Sequence, residues 1–257
     1  MDIYRRKEII IFDLDRTLAK SKSDIDDEMS DLLVKLLAIK KVAIISGGDF
    51  PQIKESLLSK LNCEEKLLSN LFIFPTSGTS FYKYIDGEWK CVYLEELNQI
   101  ERDEIIYNLK KSLDEAGYKK SEVVYGEVIE DRKTQITFSG LGQDAPLKEK
   151  LQWDPDGVLR RKVIGIFGKY LPEFDAKIGG STSIDINRKG VDKSYGIKQI
   201  EKSLDIPIEK MVFIGDTLFE GGNDYPVIST GIDTLAVKNP EETKKYIKED
   251  LISNTGA

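Results

Sequence analysis

The chain has 257 residues, of which 40% are hydrophobic and 32% are charged, and its formal net charge is −7. This length allows one large domain or two smaller ones with a real core, and the composition excludes a disordered tail. A negative surface repels phosphate backbones, so we expect neither nucleic acid nor a membrane as the main partner. The sequence has no histidine, which excludes Ser-His-Asp and Cys-His catalysis and the common zinc sites.

Four short apolar runs are each followed by polar or turn residues: Ile9–Phe12, Val42–Ile45, Leu71–Phe74 and Met211–Ile214. Apolar runs without alternation are typical of parallel strands that are buried on both faces. Helical stretches lie between these runs, and residues 25–37 carry an apolar stripe. The alternation predicts an α/β fold with a doubly wound parallel sheet, in which ligands bind beyond the carboxyl ends of the strands.

The middle of the chain has a different pattern. Trp89, Cys91 and Tyr93 alternate with other residues, which favours a strand with one exposed face. Further strands are predicted over residues 123–129, 134–138 and 181–186, and helices around residues 105–116 and 163–170. We therefore predict an inserted α+β cap domain over residues 86–188 and a catalytic core formed by residues 1–85 plus 189–257.

Two acidic sites follow buried strands of the predicted core. Asp13 and Asp15 come after the first apolar run, and Gly215-Asp216 comes after the last one. A carboxylate can take a phosphoryl group as a nucleophile, and a second carboxylate can move the proton. Three acidic groups at neighbouring strand ends repel one another unless a cation lies between them, and oxygen ligands indicate Mg²⁺. Taken alone, however, Asp-Leu-Asp is also typical of a turn that caps a helix.

Three further side chains complete this candidate catalytic group. Thr17 supplies a hydroxyl close to Asp15, and Ser46 ends another buried strand, where it can donate to a phosphate oxygen. Lys193 lies at a predicted helix start, where its ammonium and the helix N-terminus can both face a phosphate.

These residues resemble, in this order, the four motifs of the haloacid dehalogenase-like phosphotransferases. The position of the insert resembles the subclass with a large α+β cap. The resemblance to eukaryotic-type phosphomannomutases runs along most of the chain and rests on four stretches: Gly47-Gly48-Asp49-Phe50, Phe74-Pro75 with Gly78, Gly179–Asp185, and Gly215-Asp216 leading to Gly221–Asp224.

The resemblance implies roles for individual residues. Asp13 is the expected nucleophile and a magnesium ligand, Asp15 the acid/base with its carbonyl on the metal, and Asp216 the second carboxylate ligand. Asn223 and Asp224 are expected to support the same metal loop. Ser46 and Lys193 are expected to hold the transferring phosphoryl group. The implied substrate-binding residues of the cap are Arg132, Ser183 and Asp185.

The chain departs from the family pattern at four positions. Lys22, Gln143 and Lys150 stand where the family has arginine, and Arg16 stands where it usually has glycine. We expect Lys22 and Lys150 to bind substrate phosphate more weakly, because lysine lacks the bidentate fork of arginine. A weak distal phosphate site favours a Mg²⁺-dependent sugar-phosphate phosphatase over a phosphomannomutase, which stays the alternative. A third alternative is an inactive module that binds sugar phosphates.

We expect a small phosphosugar as the partner molecule, a cytoplasmic location, and a homodimer formed through the cap.

Overall fold

The computed structural model describes residue 4, residues 6–21 and residues 23–252. Within these residues the chain divides into two compact units: the described residues up to Leu94 together with those from Asp192 onward, and Glu95–Val191. The first unit contains β1–β5, β10 and β11, with the bounds Ile9–Phe12, Lys41–Ile45, Leu71–Phe74, Ser80–Ile85, Glu88–Leu94, Met211–Gly215 and Asp233–Ala236. Its helices are α1–α3, α7 and α8, with the bounds Asp27–Leu37, Phe50–Ser56, Glu65–Leu68, Lys193–Leu204 and Pro240–Tyr246.

The first unit is built on one sheet of seven strands in the order β11-β10-β1-β2-β3-β4-β5. The five strands from β11 to β3 are parallel, as the apolar runs predict. Alternate residues of β1 pack on opposite faces: Ile10 and Phe12 join the core that includes α1 residues, whereas Ile9 and Ile11 join the core that includes α7 residues. Helices therefore cover both faces, which confirms the doubly wound α/β fold.

Strand β5 lies in this sheet and not in the insert. Asp86 and Gly87 both have positive φ angles, of 53° and 86°, and turn the chain back so that β5 pairs antiparallel with β4. Two-residue turns of this kind are the usual connection of a hairpin. The second unit accordingly begins at Glu95, whereas the sequence analysis placed the start of the insert at residue 86.

The second unit has an antiparallel sheet in the order β6-β7-β9-β8, with the bounds Ile129–Asp131, Ile136–Ser139, Ser183–Arg188 and Phe174–Ile178. Its helices are α4–α6, with the bounds Gln99–Ala116, Leu147–Trp153 and Val158–Tyr170. Ile136, Phe138, Ile184 and Ile186 pack with apolar residues of α4 and α6 in one core. The alternating residues Thr137 and Asp185 are cross-strand neighbours on the other face.

Candidate active site

The loop after β1 carries the first acidic residue. The backbone N–H of Asp13 donates to the carbonyl of Ile214 over 3.0 Å, so that Asp13 continues the pairing between β1 and β10. Its side chain is buried, and so is Thr17, whereas Asp15 is exposed. The loop thus places Asp13 and Asp15 in different environments although only Leu14 separates them.

Lys193 is the buried cation of the site. Asp192 caps α7 by accepting from the backbone N–H of Ser194 over 2.9 Å, and Lys193 is the first residue of the helix. The Lys193 ammonium is 2% exposed and donates to Asp13 Oδ1 over 2.5 Å and to Asp224. Burial lowers the pKa of Lys193, but the attraction of the two carboxylates outweighs burial, so the pKa is raised overall. Lys193 therefore stays charged.

The loop after β10 fixes Asp224. Thr217 donates to Asp224 Oδ2 with its backbone N–H over 3.0 Å and with its hydroxyl over 2.9 Å. The Thr217 hydroxyl also contacts Asn223 Oδ1 over 2.5 Å, and Asn223 is exposed. A Cβ atom at Gly215 would lie 2.5 Å from Asp224 Oδ2, so a side chain there would displace this carboxylate.

Three carboxylates come together beside Lys193. Asp13, Asp216 and Asp224 each offer one oxygen, and these oxygens lie within 4.8 Å of one another. Two buried atoms of this region, Asp216 Oδ2 and Thr17 Oγ1, have no hydrogen-bond partner among the described residues. Buried oxygens that lack donors fit a hard divalent cation and its waters, which supply what the protein does not.

Burial governs the acidity of these carboxyls. Burial raises the pKa of Asp13, Lys193 opposes this rise, and Asp224 adds to it. Burial also raises the pKa of Asp216, to about 6, while Arg16 opposes the rise and Asp224 adds to it. A bound cation would favour the ionised form of both groups.

Ser46 lies at the carboxyl end of β2 and is buried. Its hydroxyl oxygen accepts from the backbone N–H of Gly48 over 3.1 Å. That bond uses a lone pair of the hydroxyl, so its proton remains available to donate to a phosphate oxygen. The predicted role of Ser46 is consistent with this geometry and stays a prediction, as do the other assigned roles.

Within the second unit, Ser183 and Asp185 lie beside the segment Gly179–Thr182, which we name the glycine loop. The backbone N–H of Gly180 donates to Ser183 Oγ over 2.7 Å, and Thr137 donates to Asp185 Oδ1 over 2.9 Å. A Cβ atom at Gly179 would lie 2.5 Å from Asp185 Oδ2 and 2.8 Å from Ser183 Oγ. The loop backbone therefore packs directly against both predicted sugar-binding side chains.

Arg160 holds the glycine loop, and sequence reasoning missed it. Its side chain is buried and its NH1 donates to the carbonyl of Gly180 over 2.7 Å. Asp154 holds the guanidinium in turn, with its Oδ2 3.0 Å from Nε. Nothing in the sequence indicates that an arginine on this helix donates a hydrogen bond to a backbone carbonyl 20 residues further on.

The predicted phosphate-binding side chains of the cap are engaged within the second unit. Arg132 is 6% exposed at its side chain and donates to Glu130 Oε2 from both Nε and NH2, over 3.0 and 2.8 Å. Lys150 is buried and donates to the carbonyl of Gln143 over 2.7 Å. Lys22 lies outside the described residues.

Among the residues that the structure describes, none of the helices combines the length and the apolar character needed to cross a bilayer.

Comparisons with known proteins identify the family. A family model described as eukaryotic phosphomannomutase matches residues 29–253. The phosphomannomutase of Encephalitozoon cuniculi is 26% identical over 252 residues, which cover 95% of this chain and 94% of that protein. The IMP-nucleotidase of Plasmodium falciparum has a TM-score of 0.69 at 19% identity, covering 94% of this chain and 67% of that one. The C-terminal domain of C. albicans trehalose-6-phosphate phosphatase has a TM-score of 0.64 at 15% identity, and the match covers 96% of this chain and 93% of that one.

At these identities the two solved structures show a likeness of fold alone. The family model, in contrast, covers well over half of the chain. The protein therefore belongs to the eukaryotic phosphomannomutase family and is an enzyme of the haloacid dehalogenase-like superfamily.

Proposed function

We propose that this protein is a phosphomannomutase that interconverts mannose 1-phosphate and mannose 6-phosphate through an aspartyl-phosphate at Asp13. The observation that carries the proposal is the buried contact between Asp13 and Lys193, within a chain of this family. The E. cuniculi relative, named a phosphomannomutase, covers nearly the whole chain and supports this activity over the phosphatase that the sequence analysis placed first.

The proposed chemistry assigns one task to each core residue. An Asp13 oxygen attacks phosphorus, and the bond from phosphorus to the sugar oxygen breaks. Asp15, which is exposed and so can reach bulk protons, protonates the departing oxygen and later takes the proton of the hydroxyl that receives the phosphoryl group. Lys193 and Ser46 hold the phosphoryl oxygens during both transfers.

Magnesium is part of this proposal because the acidic group fits it. Asp13, Asp216 and the Asp15 carbonyl would hold the ion, with Asp224 and Asn223 in the loop beside it. When bound, Mg²⁺ supplies charge neutralisation between the phosphate and the carboxylate nucleophile. The raised pKa of Asp13 makes such neutralisation necessary, since a nucleophilic carboxylate must be ionised.

A mutase must also bind the sugar bisphosphate in two orientations. In this proposal Ser183 and Asp185 bind sugar hydroxyls, and Arg132 and Lys150 bind the phosphate that is not transferred. Arg132 already pairs with Glu130, and Lys150 with a backbone carbonyl, so part of the hydrogen-bonding capacity of each cation is already in use. This observation keeps a sugar-phosphate phosphatase as the second candidate, because a sugar monophosphate that is weakly held at its distal phosphate leaves the aspartyl-phosphate open to attack by water.

One assay separates the two activities. Mannose 1-phosphate is supplied with Mg²⁺, with and without glucose 1,6-bisphosphate, and mannose 6-phosphate and inorganic phosphate are measured together. A mutase forms mannose 6-phosphate well in excess of phosphate, and the bisphosphate stimulates it. Release of phosphate without mannose 6-phosphate would establish the phosphatase instead. Absence of both products, with sugar phosphate still bound, would indicate the inactive binding module, and the Asp13→Asn variant is the negative control.

A further inference from the structure

Arg16 lies against the acidic group in a way that the proposed reaction does not explain. Its Nε is 3.3 Å from Asp216 Oδ2, and its side chain is 62% exposed while that of Asp216 is 5% exposed. This contact is an ion pair without a hydrogen bond, since Asp216 Oδ2 has no hydrogen-bond partner among the described residues. The guanidinium therefore caps a buried carboxylate from the solvent side.

The loop holds Arg16 in an unusual backbone conformation. Its φ is +62°, a left-handed value that L side chains other than asparagine and aspartate rarely adopt. The backbone N–H of Arg16 donates to the carbonyl of Ala19 over 2.6 Å, and those of Leu18 and Ala19 donate to Leu14. These bonds fix the backbone conformation from which the Arg16 side chain reaches Asp216.

The charges at this position have a consequence for cation binding. Asp13, Asp216 and Asp224 bring three carboxylates together, and Lys193 contacts Asp13 and Asp224. In the part of the chain that the structure describes, Arg16 is the cation paired with Asp216. A divalent cation that binds at Asp216 therefore meets a like charge on the same carboxylate, and the two cations repel.

We propose that Arg16 is a tethered counter-ion that neutralises Asp216 in the metal-free enzyme and is displaced from it when Mg²⁺ binds. This inference rests on the proposed function, because it requires the Mg²⁺ site that the proposed function includes. The guanidinium weakens Mg²⁺ binding and keeps the acidic group partly neutralised between metal-binding events. Because Arg16 is largely exposed, solvent screens its charge, and we expect its removal to tighten Mg²⁺ binding about threefold to tenfold.

The test is titration calorimetry of Mg²⁺ into the substrate-free protein. Arg16→Gln removes the charge and keeps a long polar side chain. Arg161→Gln is the matched control, because it makes the same change of net charge at an exposed arginine of the second unit. We expect Arg16→Gln to bind Mg²⁺ about threefold to tenfold more tightly than both wild type and the control.

Equal affinities in Arg16→Gln and Arg161→Gln would overturn the inference, and so would weaker binding in Arg16→Gln. Those results would leave the proposed reaction intact, since wild type would still bind Mg²⁺. Failure of folded wild type to bind Mg²⁺ would instead overturn both the inference and the proposed metal site. If Arg16→Gln is too unstable for calorimetry, the dependence of its Tm on Mg²⁺ concentration gives the same ranking of affinities.

Discussion

Replacing Lys193 with methionine should destabilise the first unit strongly. Lys193 is 2% exposed and contacts two carboxylates that are themselves buried, Asp13 and Asp224. Methionine fills most of the same volume but leaves both carboxylates without their cation. Removing one partner of a buried ion pair costs about 3–5 kcal/mol. At about 2–4 °C per kcal/mol for a domain of this size, the expected loss is about 6–20 °C in Tm.

The loss should depend on pH with a defined sign. Burial already raises the pKa of Asp13, and Lys193 opposes this rise, so removing Lys193 raises the pKa further. A carboxyl whose folded-state pKa lies above its unfolded value of 3.8 binds a proton on folding. The stability of Lys193→Met should therefore fall as pH rises above about 4. Because the pKa of Asp13 is already raised to about 8 in the presence of Lys193, wild type falls in parallel up to that pH, and the difference in Tm between the two proteins should grow only above about pH 8.

Thermal unfolding followed by circular dichroism measures both effects in metal-free buffer. Lys198→Met, on the exposed face of the same helix, is the matched control and should change Tm by no more than about 2 °C. Adding Asp13→Asn to Lys193→Met should recover part of the lost stability without recovering turnover. A Tm for Lys193→Met equal to that of Lys198→Met at pH 8 would refute the reasoning, because the three charges would then not be coupled.

Three other predictions follow from the site and its support. Asp13→Asn should keep the fold and lower kcat at least about 10³-fold, because an amide cannot form the acyl phosphate; turnover within tenfold of wild type would exclude Asp13 as nucleophile. Arg160→Gln should raise KM for mannose 1-phosphate about tenfold with little change in kcat, because it loosens the glycine loop; an unchanged KM would contradict the positioning role. Lys244→Met should lower Tm at pH 7, since the buried Lys244 ammonium holds the pKa of the helix-capping Asp26 below its ordinary 3.8. That stabilisation is complete above about pH 4 and is lost as pH falls through the lowered pKa, so the difference in Tm should shrink at pH 3. A constant difference from pH 7 to pH 3 would argue against it.

The core of the site could be predicted because its strands have a clear signal in the sequence. Strands buried on both faces are continuous apolar runs, and the polar residues that end them must meet at one edge of the sheet. Asp13, Ser46 and Asp216 follow from this rule. Asp224 as a partner of Lys193 does not, because the contact joins a helix start to a loop across 31 residues.

The second unit was harder to predict because its decisive contacts are not local. Residues 123–129 were predicted as a strand, but only Ile129 belongs to one. Tyr125 instead exchanges backbone hydrogen bonds with residues of the following loop: its N–H donates to Leu141 and its carbonyl accepts from Asp144. The ion pair between Arg132 and Glu130 was also missed. Side chains two positions apart point the same way along a regular strand, but this rule does not hold where the strand ends, and Arg132 follows the last residue of β6.

The strand order has a consequence for how the protein is made. Strand β1 lies between β2 and β10, and its pairing with β10 joins residues about 200 positions apart, as Ile9 opposite Met211 shows. At about 5–20 residues per second, a ribosome takes roughly 10–40 s to deliver the second neighbour of β1. During that interval the nascent chain has an open strand edge and an Asp13 whose cationic partner has not been synthesised. Assembly of the sheet is thus completed only late in synthesis, and chaperone binding to the nascent chain should be concentrated in this window.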